Sequence, residues 1–306
     1  MTRRRTVLWT LLGPPLCGVL VACLVVAAWF VVGRPDLAEG ETWFQIEFVG
    51  EAHYTGAPDQ PIFFLAIGND ERASGPGGQR ADSIHIIGVN PALGAATVIG
   101  IPRDTAVPIP GSGTDKINAA LQYGGLDLQV QTVSDLVGVD IQYALNTNFD
   151  GFIAMVDEMG GVDVNVPARM LDSDAGSDFQ PGVQRLTGDQ ALRFTRDRKS
   201  FPSGDVARSE NQGLFLISAL STLRAQLTGS TGVLTLIGVL SRHAEIKGMS
   251  VVDLYRLGRM GLFIDPANVR NVVIPTGGGS GSNLAPGPGA AELFADFADD
   301  GVLQTH

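Results

Sequence analysis

The chain has 306 residues, 44% of them hydrophobic, enough to bury a core as one large domain or two small ones. Its formal net charge of -11 argues against a general nucleic-acid binder, which needs a basic face. Against that acidic background Arg193, Arg196, Arg198, Lys199 and Arg208 lie close together, so they either face an anion or pair with some of the 32 Asp and Glu residues.

The N-terminus reads as a membrane anchor. After Arg3-Arg4-Arg5 no charged residue occurs until Arg34, so Thr6 to Gly33 is longer than the ~20 apolar residues that a spanning helix needs. Basic residues before the span and Asp36, Glu39 and Glu41 after it predict a cytoplasmic start and an extracytoplasmic body. A cleaved signal peptide would have an apolar core of only ~7–15 residues. Leu20-Val21-Ala22-Cys23 resembles a lipoprotein cleavage box, but largely apolar sequence continues beyond the cysteine. Both cysteines, Cys17 and Cys23, fall in this segment, so the exported part has no disulfide to rely on. Residues 1–33 are thus assigned to the anchor, 34–60 to a linker and 61–306 to the exported domain. Within the linker, the alternating Phe44 to Val49 suggests an edge strand.

Three strands follow. Pro61 to Gly68 is a short apolar run without helical spacing, and Ser83 to Val89 and Ala96 to Ile101 continue the pattern. Asn90-Pro91-Ala92-Leu93-Gly94 is a turn, so the second and third strands pair antiparallel. If the first also pairs antiparallel with the second, Asp70, Asp82, Arg103 and Asp104 meet at one edge, beneath a Gly-rich loop spanning Glu71 to Ala81. Two carboxylates without His or Cys neighbours suit a hard divalent cation such as Mg²⁺, which takes one or two carboxylates plus phosphate oxygens. The alternative is that Asp70 and Asp82 cap strand ends and turns.

Farther along, Lys116 to Tyr123 reads as a helix stopped by Gly124-Gly125, and Asp127 to Val137 as another stopped by Gly138. Lys116 either contacts phosphate or is solvated. Phe152 to Met159 is a helix leading into the alternating strand Val162 to Val166, and Gln190 to Phe194 is helical. A last helix, capped by Ser203 or Asp205, runs to about Leu227. It places Arg208 and Gln212 on one face with Phe215, Leu216, Ala219 and Leu223 beyond them. That face is cationic at its N-terminal end and apolar farther on. A phosphate head with a greasy tail matches it, and so does ordinary core packing. Gly277 to Gly289 reads as a flexible loop, and no accessory domain is expected after it.

Several of these stretches, in order, resemble the LytR-CpsA-Psr family of cell-wall glycopolymer ligases. They are Gly68-Asn69-Asp70-Glu71-Arg72, Arg80-Ala81-Asp82-Ser83, Ile101-Pro102-Arg103-Asp104-Thr105 and Asp115 to Ala120. Asn148-Phe149-Asp150-Gly151-Phe152, Gly160 to Val164, Gly188 to Leu192, Arg196-Asp197-Arg198 and Asp205-Val206-Ala207-Arg208 with Asn211-Gln212 continue the series. The resemblance covers roughly Pro61 to Leu227. Ala81, Ser83 and Arg193 depart from the usual family residues without removing a charge that the chemistry needs.

The resemblance implies an α/β fold, with a mixed, largely antiparallel central sheet sandwiched between helices, an N-terminal transmembrane helix and an apolar channel for a polyprenyl chain. It implies transfer of a glycopolymer of the teichoic acid, capsule or arabinogalactan type from a polyprenyl-pyrophosphate carrier to peptidoglycan. Asp70 and Asp82 match the family's Mg²⁺-associated aspartates, with Mn²⁺ as an alternative ion. Arg72, Arg103, Arg196, Arg198, Arg208 and Gln212 match its pyrophosphate-binding groups, and Lys116 is a weaker match. Asp82 or Asp104 is the expected general base, beside Arg103. His53, His85, His243 and His306 lie outside the motifs, and His85 is expected to be structural. Two other readings share these residues: a polyprenyl-pyrophosphate phosphatase, and a membrane-tethered module that binds a glycopolymer without chemistry. Peptidoglycan and the lipid bilayer are the implied partners.

Overall fold

The computed structural model describes residues 44–48, 60–70, 79–226, 233–234, 237–239, 245–246, 251–278 and 283–304. The expected membrane span and Arg72 lie outside the described residues. Among those residues no helix is long and apolar enough to cross a membrane.

The centre is a seven-stranded sheet. Its strands are β1 (Phe44–Phe48), β2 (Ile62–Asn69), β3 (Ala81–Asn90), β4 (Ala95–Gly100), β7 (Tyr143–Thr147), β12 (Glu245–Ile246) and β13 (Val269–Val273), in the order β12-β1-β7-β2-β3-β4-β13. The hairpin expected from Asn90 to Gly94 is present, with Asn90 opposite Ala95, and β2 pairs antiparallel with β3. The sheet is evenly mixed rather than largely antiparallel. Neighbours β2 and β7, β4 and β13, and β1 and β12 run parallel, while the other three pairs run antiparallel. Parallel neighbours need a crossover connection, so they come from distant chain and leave no local turn signal. For the same reason the expected edge strand β1 lies inside the sheet, paired with β7 on one side and β12 on the other.

Helices cover both faces. On one, α1 (Ala119–Val137) and α6 (Ala290–Asp300) pack against Phe63, Leu65, Ile67, Ile84, Ile86 and Ile99. The Phe63 and Phe297 rings meet edge-on at 5.3 Å, a favoured aromatic geometry. The expected break at Gly124-Gly125 is real: both depart from helical geometry, and Gly125 takes φ 68°, which glycine adopts without strain. The helix starts later than expected, because Lys116 belongs to the hairpin of β5 (Ala106–Ile109) and β6 (Gly113–Lys116).

On the other face lie α2 (Phe149–Glu158), α3 (Gly188–Arg196), α4 (Asp205–Gln226) and α5 (Val251–Phe263). Asn148 caps α2 by accepting from Gly151 N at 2.9 Å. A capping box starts α3: Thr187 Oγ1 accepts from Gln190 N, and Gln190 Oε1 accepts from Thr187 N. Two small ladders complete the fold, β8 (Val162–Val166) with β11 (Gly182–Leu186) and β9 (Met170–Asp172) with β10 (Ser177–Phe179). The Gly277 to Gly289 stretch, expected to be a flexible loop, overlaps another two-stranded ladder, the fourth counting the β5–β6 hairpin: β14 (Thr276–Gly278) paired with β15 (Leu284–Pro286). It is fastened to the domain by Leu284 N donating to Asp104 O at 2.9 Å.

Candidate functional site: an arginine-mouthed cleft

Between the sheet and helices α2, α3 and α4 lies a cleft of about 640 Å³. Ala66, Leu145, Phe149, Phe152, Met155, Leu192, Phe215, Leu216, Ala219 and Leu223 line its apolar part. Asp82, Arg103, Arg196, Arg198, Lys199, Asp205, Arg208 and Gln212 line its polar part. The face of α4 foreseen in the sequence is therefore the wall of the cleft, cationic at Arg208 and apolar from Phe215 to Leu223. A second, almost wholly apolar cavity of about 360 Å³ shares Ala66, Leu145 and Leu216 with the first.

Side-chain volume along the strands explains where the space comes from. Alternate residues of a strand share a face. On β2 the face turned to the cleft reads Ile62, Phe64, Ala66, Gly68, tapering from large to nothing toward the polar end. The opposite face keeps Phe63, Leu65 and Ile67, all in the sealed core.

A bulge presents Asp82. Gly68 pairs with Ser83 and Asn69 with Ala81, so Asp82 is the extra residue, and a bulge of this kind re-aims a side chain that the pleat would otherwise turn away. Its carboxylate holds Arg103 Nη1 at 2.5 Å. Burial disfavours the charged guanidinium of Arg103, but Asp82 outweighs it and raises the group above its ordinary value, with Asp205 and Asp104 adding to the effect. Arg103 sits in a laced turn: Thr105 N and Oγ1 both donate to Pro102 O, and Asn118 N donates to Arg103 O.

Arg208 is 7% exposed and lies 2.7 Å from Asp205. Burial holds its guanidinium below the ordinary value against the pull of Asp205, and the like charge of Arg103 adds to the lowering. The Arg208–Asp205 contact has ion-pair distance without hydrogen-bond alignment. Arg103 Nε, Arg208 Nε and both Asp205 carboxylate oxygens are buried and lack a hydrogen bond. Unsatisfied buried charged groups are costly, and in one cleft they mark a place for a ligand that supplies the missing partners.

The remaining cations are held by their backbones or rings. Arg196 lies over the Phe149 ring, its Cζ 5.0 Å from the centroid, and no carboxylate pairs with it among the described residues. Buried Asp172 accepts from Arg198 N and Lys199 N, each at 3.0 Å, and from Asp174 N and Ala175 N. Burial pushes its carboxyl up, but these four N–H donors outweigh it and hold it down to about 2. Arg198 stands 3.9 Å from Asp205, Lys199 pairs with Asp174, and Gln212 Nε2 donates to Thr195 O at 3.1 Å.

Not every expected residue lines the cleft. Asp104 and Lys116 pair with each other at 2.8 Å outside its lining. Asp70 Oδ1 accepts from Arg80 N at 3.0 Å, closing the base of the Gly-rich loop. Arg193 pairs with Asp189 on the surface of α3. Sequence reasoning gave no role to Asp172, whose partners lie 26 and 27 residues away, and read Asp205 only as a cap. Asp205 did carry a signal, the i,i+3 spacing to Arg208.

Among the described residues no group of three metal-ligating side chains occurs. The cleft fits a hard cation in another way, through the orphaned oxygens of Asp205 and the neighbouring Asp82 carboxylate.

A mixed-sheet α/β domain with a guanidinium-lined mouth above an apolar floor has room and charge for an amphipathic, anionic-headed ligand. The chain belongs to the LytR_cpsA_psr family, whose model matches residues 42–276. It is 43% identical over 154 residues to a polyisoprenyl-teichoic acid–peptidoglycan teichoic acid transferase, TagU of Bacillus mycoides, a match covering 50% of this chain and 49% of that one. The chain thus spans about half the length of the curated relatives it matches. Its fold is that of Bacillus subtilis TagV, with TM-score 0.66 and 24% identity over 81% of this chain and 99% of that one. TagT bound to LIIa-WTA is similar too, with TM-score 0.63 and 23% identity over 87% and 99% of the two chains.

Proposed function

We propose that the protein transfers a glycopolymer from a polyprenyl-pyrophosphate carrier to peptidoglycan. The observation that carries this reading is the pair of buried guanidinium Nε donors, on Arg103 and Arg208, left without partners where the cleft turns from polar to apolar. A pyrophosphate satisfies both, and its prenyl tail covers the apolar floor and enters the second cavity. The TagU relatives are named for transfer of teichoic acid to peptidoglycan, and the polymer here is of that general class.

In the reaction, an acceptor hydroxyl oxygen attacks the phosphorus attached to the glycan. The bond from that phosphorus to the bridging oxygen breaks, polyprenyl phosphate leaves, and a phosphodiester joins glycan to acceptor. Arg103, Arg196, Arg198 and Arg208 stabilise the charge that builds on the transferring phosphoryl and the leaving phosphate. Asp82 takes the hydroxyl proton. Both carboxylates are paired with a cation, Asp82 with Arg103 and Asp104 with Lys116, but Asp82 lines the cleft and Asp104 lies outside its lining. Gln212, anchored on Thr195 O, completes the polar lining, and Lys116 acts from outside it by holding Asp104. Mg²⁺ or Mn²⁺ would be held by Asp82 and Asp205 in the cleft, with Asp70 at the adjoining strand end, and would supply charge neutralisation at the pyrophosphate. Asp70→Ala and Asp82→Ala are then expected to abolish metal-dependent turnover while the fold survives.

The residues 6–33 span anchors the domain outside the cytoplasm in this reading, close to the bilayer that holds its lipid substrate. A reporter fused after residue 306 is expected to be active only outside the cytoplasm, and cytoplasmic activity refutes that topology.

Incubation of the protein with lipid-linked glycan and peptidoglycan fragments tests the reaction. Joined product is expected. Free phosphate-ended glycan identifies a phosphatase, and recovery of both reactants unchanged identifies a binding module.

A further inference from the structure

His85 is buried in the sheet yet borders the cleft, and nothing in the transfer chemistry uses it. Its Nε2 lies 3.0 Å from the carbonyl oxygen of Ser209, and its Nδ1 lies 3.2 Å from Ser83 Oγ. A carbonyl oxygen only accepts, so Nε2 carries a proton. Burial, with Arg208 adding to it against the Ser209 carbonyl, lowers the imidazole to about 4, so the ring is neutral and holds only that one proton. Nδ1 is therefore a bare acceptor. The Ser83 hydroxyl has to donate to it, and both Ser83 lone pairs are left for other donors.

The surroundings are shaped around this chain of contacts. A Cβ at Gly100 would stand 2.4 Å from Ser209 Oγ and 3.2 Å from His85 Nε2, so a glycine is required behind the ring. Ser83 is half-buried in the cleft lining, adjacent to Asp82 and near Arg103, and no donor in the described residues fills its lone pairs.

We propose that Ser83, its proton held by His85, accepts a hydrogen bond from a hydroxyl of the acceptor sugar neighbouring the attacking one, and so orients the sugar with the attacking hydroxyl free to give its own proton to Asp82. A phosphate oxygen presents only lone pairs and is repelled by Ser83, whereas an alcohol presents a proton. The fixed polarity thus separates the two substrates, the arginines taking the anion and Ser83 the hydroxyl. His85 is a positioning residue that acts through Ser83. This inference rests on the proposed transfer and adds to it the group that recognises the acceptor.

The test is steady-state transfer with the full chain, varying lipid-linked glycan and peptidoglycan fragment separately. Ser83→Ala is expected to raise the KM for the acceptor about three- to tenfold, the loss of one neutral hydrogen bond, with the donor KM unchanged. His85→Leu frees the Ser83 rotor and is expected to shift the acceptor KM in the same direction. His85→Gln, whose amide offers one acceptor and one donor, restores it. The double variant Ser83→Ala/His85→Leu is no worse than Ser83→Ala, because His85 acts only through Ser83. An unchanged acceptor KM in Ser83→Ala, or a donor KM rising in step with it, overturns the inference while leaving the transferase reading intact. A wild-type protein that joins nothing overturns that reading and this inference together. If His85→Leu does not fold, the Ser83→Ala result decides alone.

Discussion

The two faces of the central sheet are made from the same strands and do opposite things. On the face covered by α1 and α6, Leu65, Ile67, Ile84 and Ile86 are at most 2% exposed and fill the space between layers. On the other, Ala66, Gly68, Ser83 and His85 stand at the alternate positions, and the helices cover a cleft instead of a filled core. A one-residue change of parity separates a residue that stabilises from one that makes room. The candidate site occupies volume that these side chains leave unfilled.

The largest expected effect lies at the charged end of the cleft face. Arg208→Ala takes from Asp205 its nearest cation, leaving Arg198 at 3.9 Å, and is expected to cost about 3–5 kcal/mol in denaturant unfolding. Adding Asp205→Ala should recover most of that stability and none of the lipid binding. If the double variant binds lipid normally, the pair is structural and the contrast between the faces collapses.

A matched pair of truncations sharpens the contrast. Leu65→Ala on the sealed face removes a side chain of 0% exposure and should cost about 2–5 kcal/mol. Leu223→Ala on the cleft wall should cost under ~1 kcal/mol and instead weaken binding of the prenyl tail, because its side chain borders empty space. Urea midpoints and lipid affinity on both variants check this.

Acid should act on the cleft face as well. The folded value of His85 lies below its ordinary 6.5, so the unfolded chain takes up the proton first. Stability is complete above pH 6.5 and falls as pH drops toward 4, by roughly 3 kcal/mol at 1.4 kcal/mol per pH unit. Asp172 adds a further loss between 3.8 and about 2, where its carboxylate is protonated only after unfolding. His85→Gln should flatten the first window and leave the second.

Much of the cleft was legible before the fold was known, because its parts sit next to local signals. The turn Asn90 to Gly94 gave the hairpin that brings Asp82 and Arg103 together, and helical spacing put Arg208 and Gln212 in line with Phe215 and Leu223. What stayed hidden depends on long-range pairing. The parallel strands β7 and β13, the bulge that aims Asp82 and the bracing of Arg198 by Asp172 all join residues with no periodic or turn relationship. Lys116 reads as helical in the sequence because its strand, Gly113 to Lys116, is short and polar and is held by its hairpin partner rather than by burial.

The central claim is that the arginines at the mouth hold the pyrophosphate of a lipid carrier. Arg196 tests it most directly, since it stacks on Phe149 and has no carboxylate partner among the described residues whose loss would confuse the result. Titrating polyprenyl pyrophosphate into wild type and Arg196→Ala, with melting temperatures taken on the same samples, should show affinity falling about ten- to a hundredfold while the melting temperature holds. Unchanged affinity in Arg196→Ala would contradict the account.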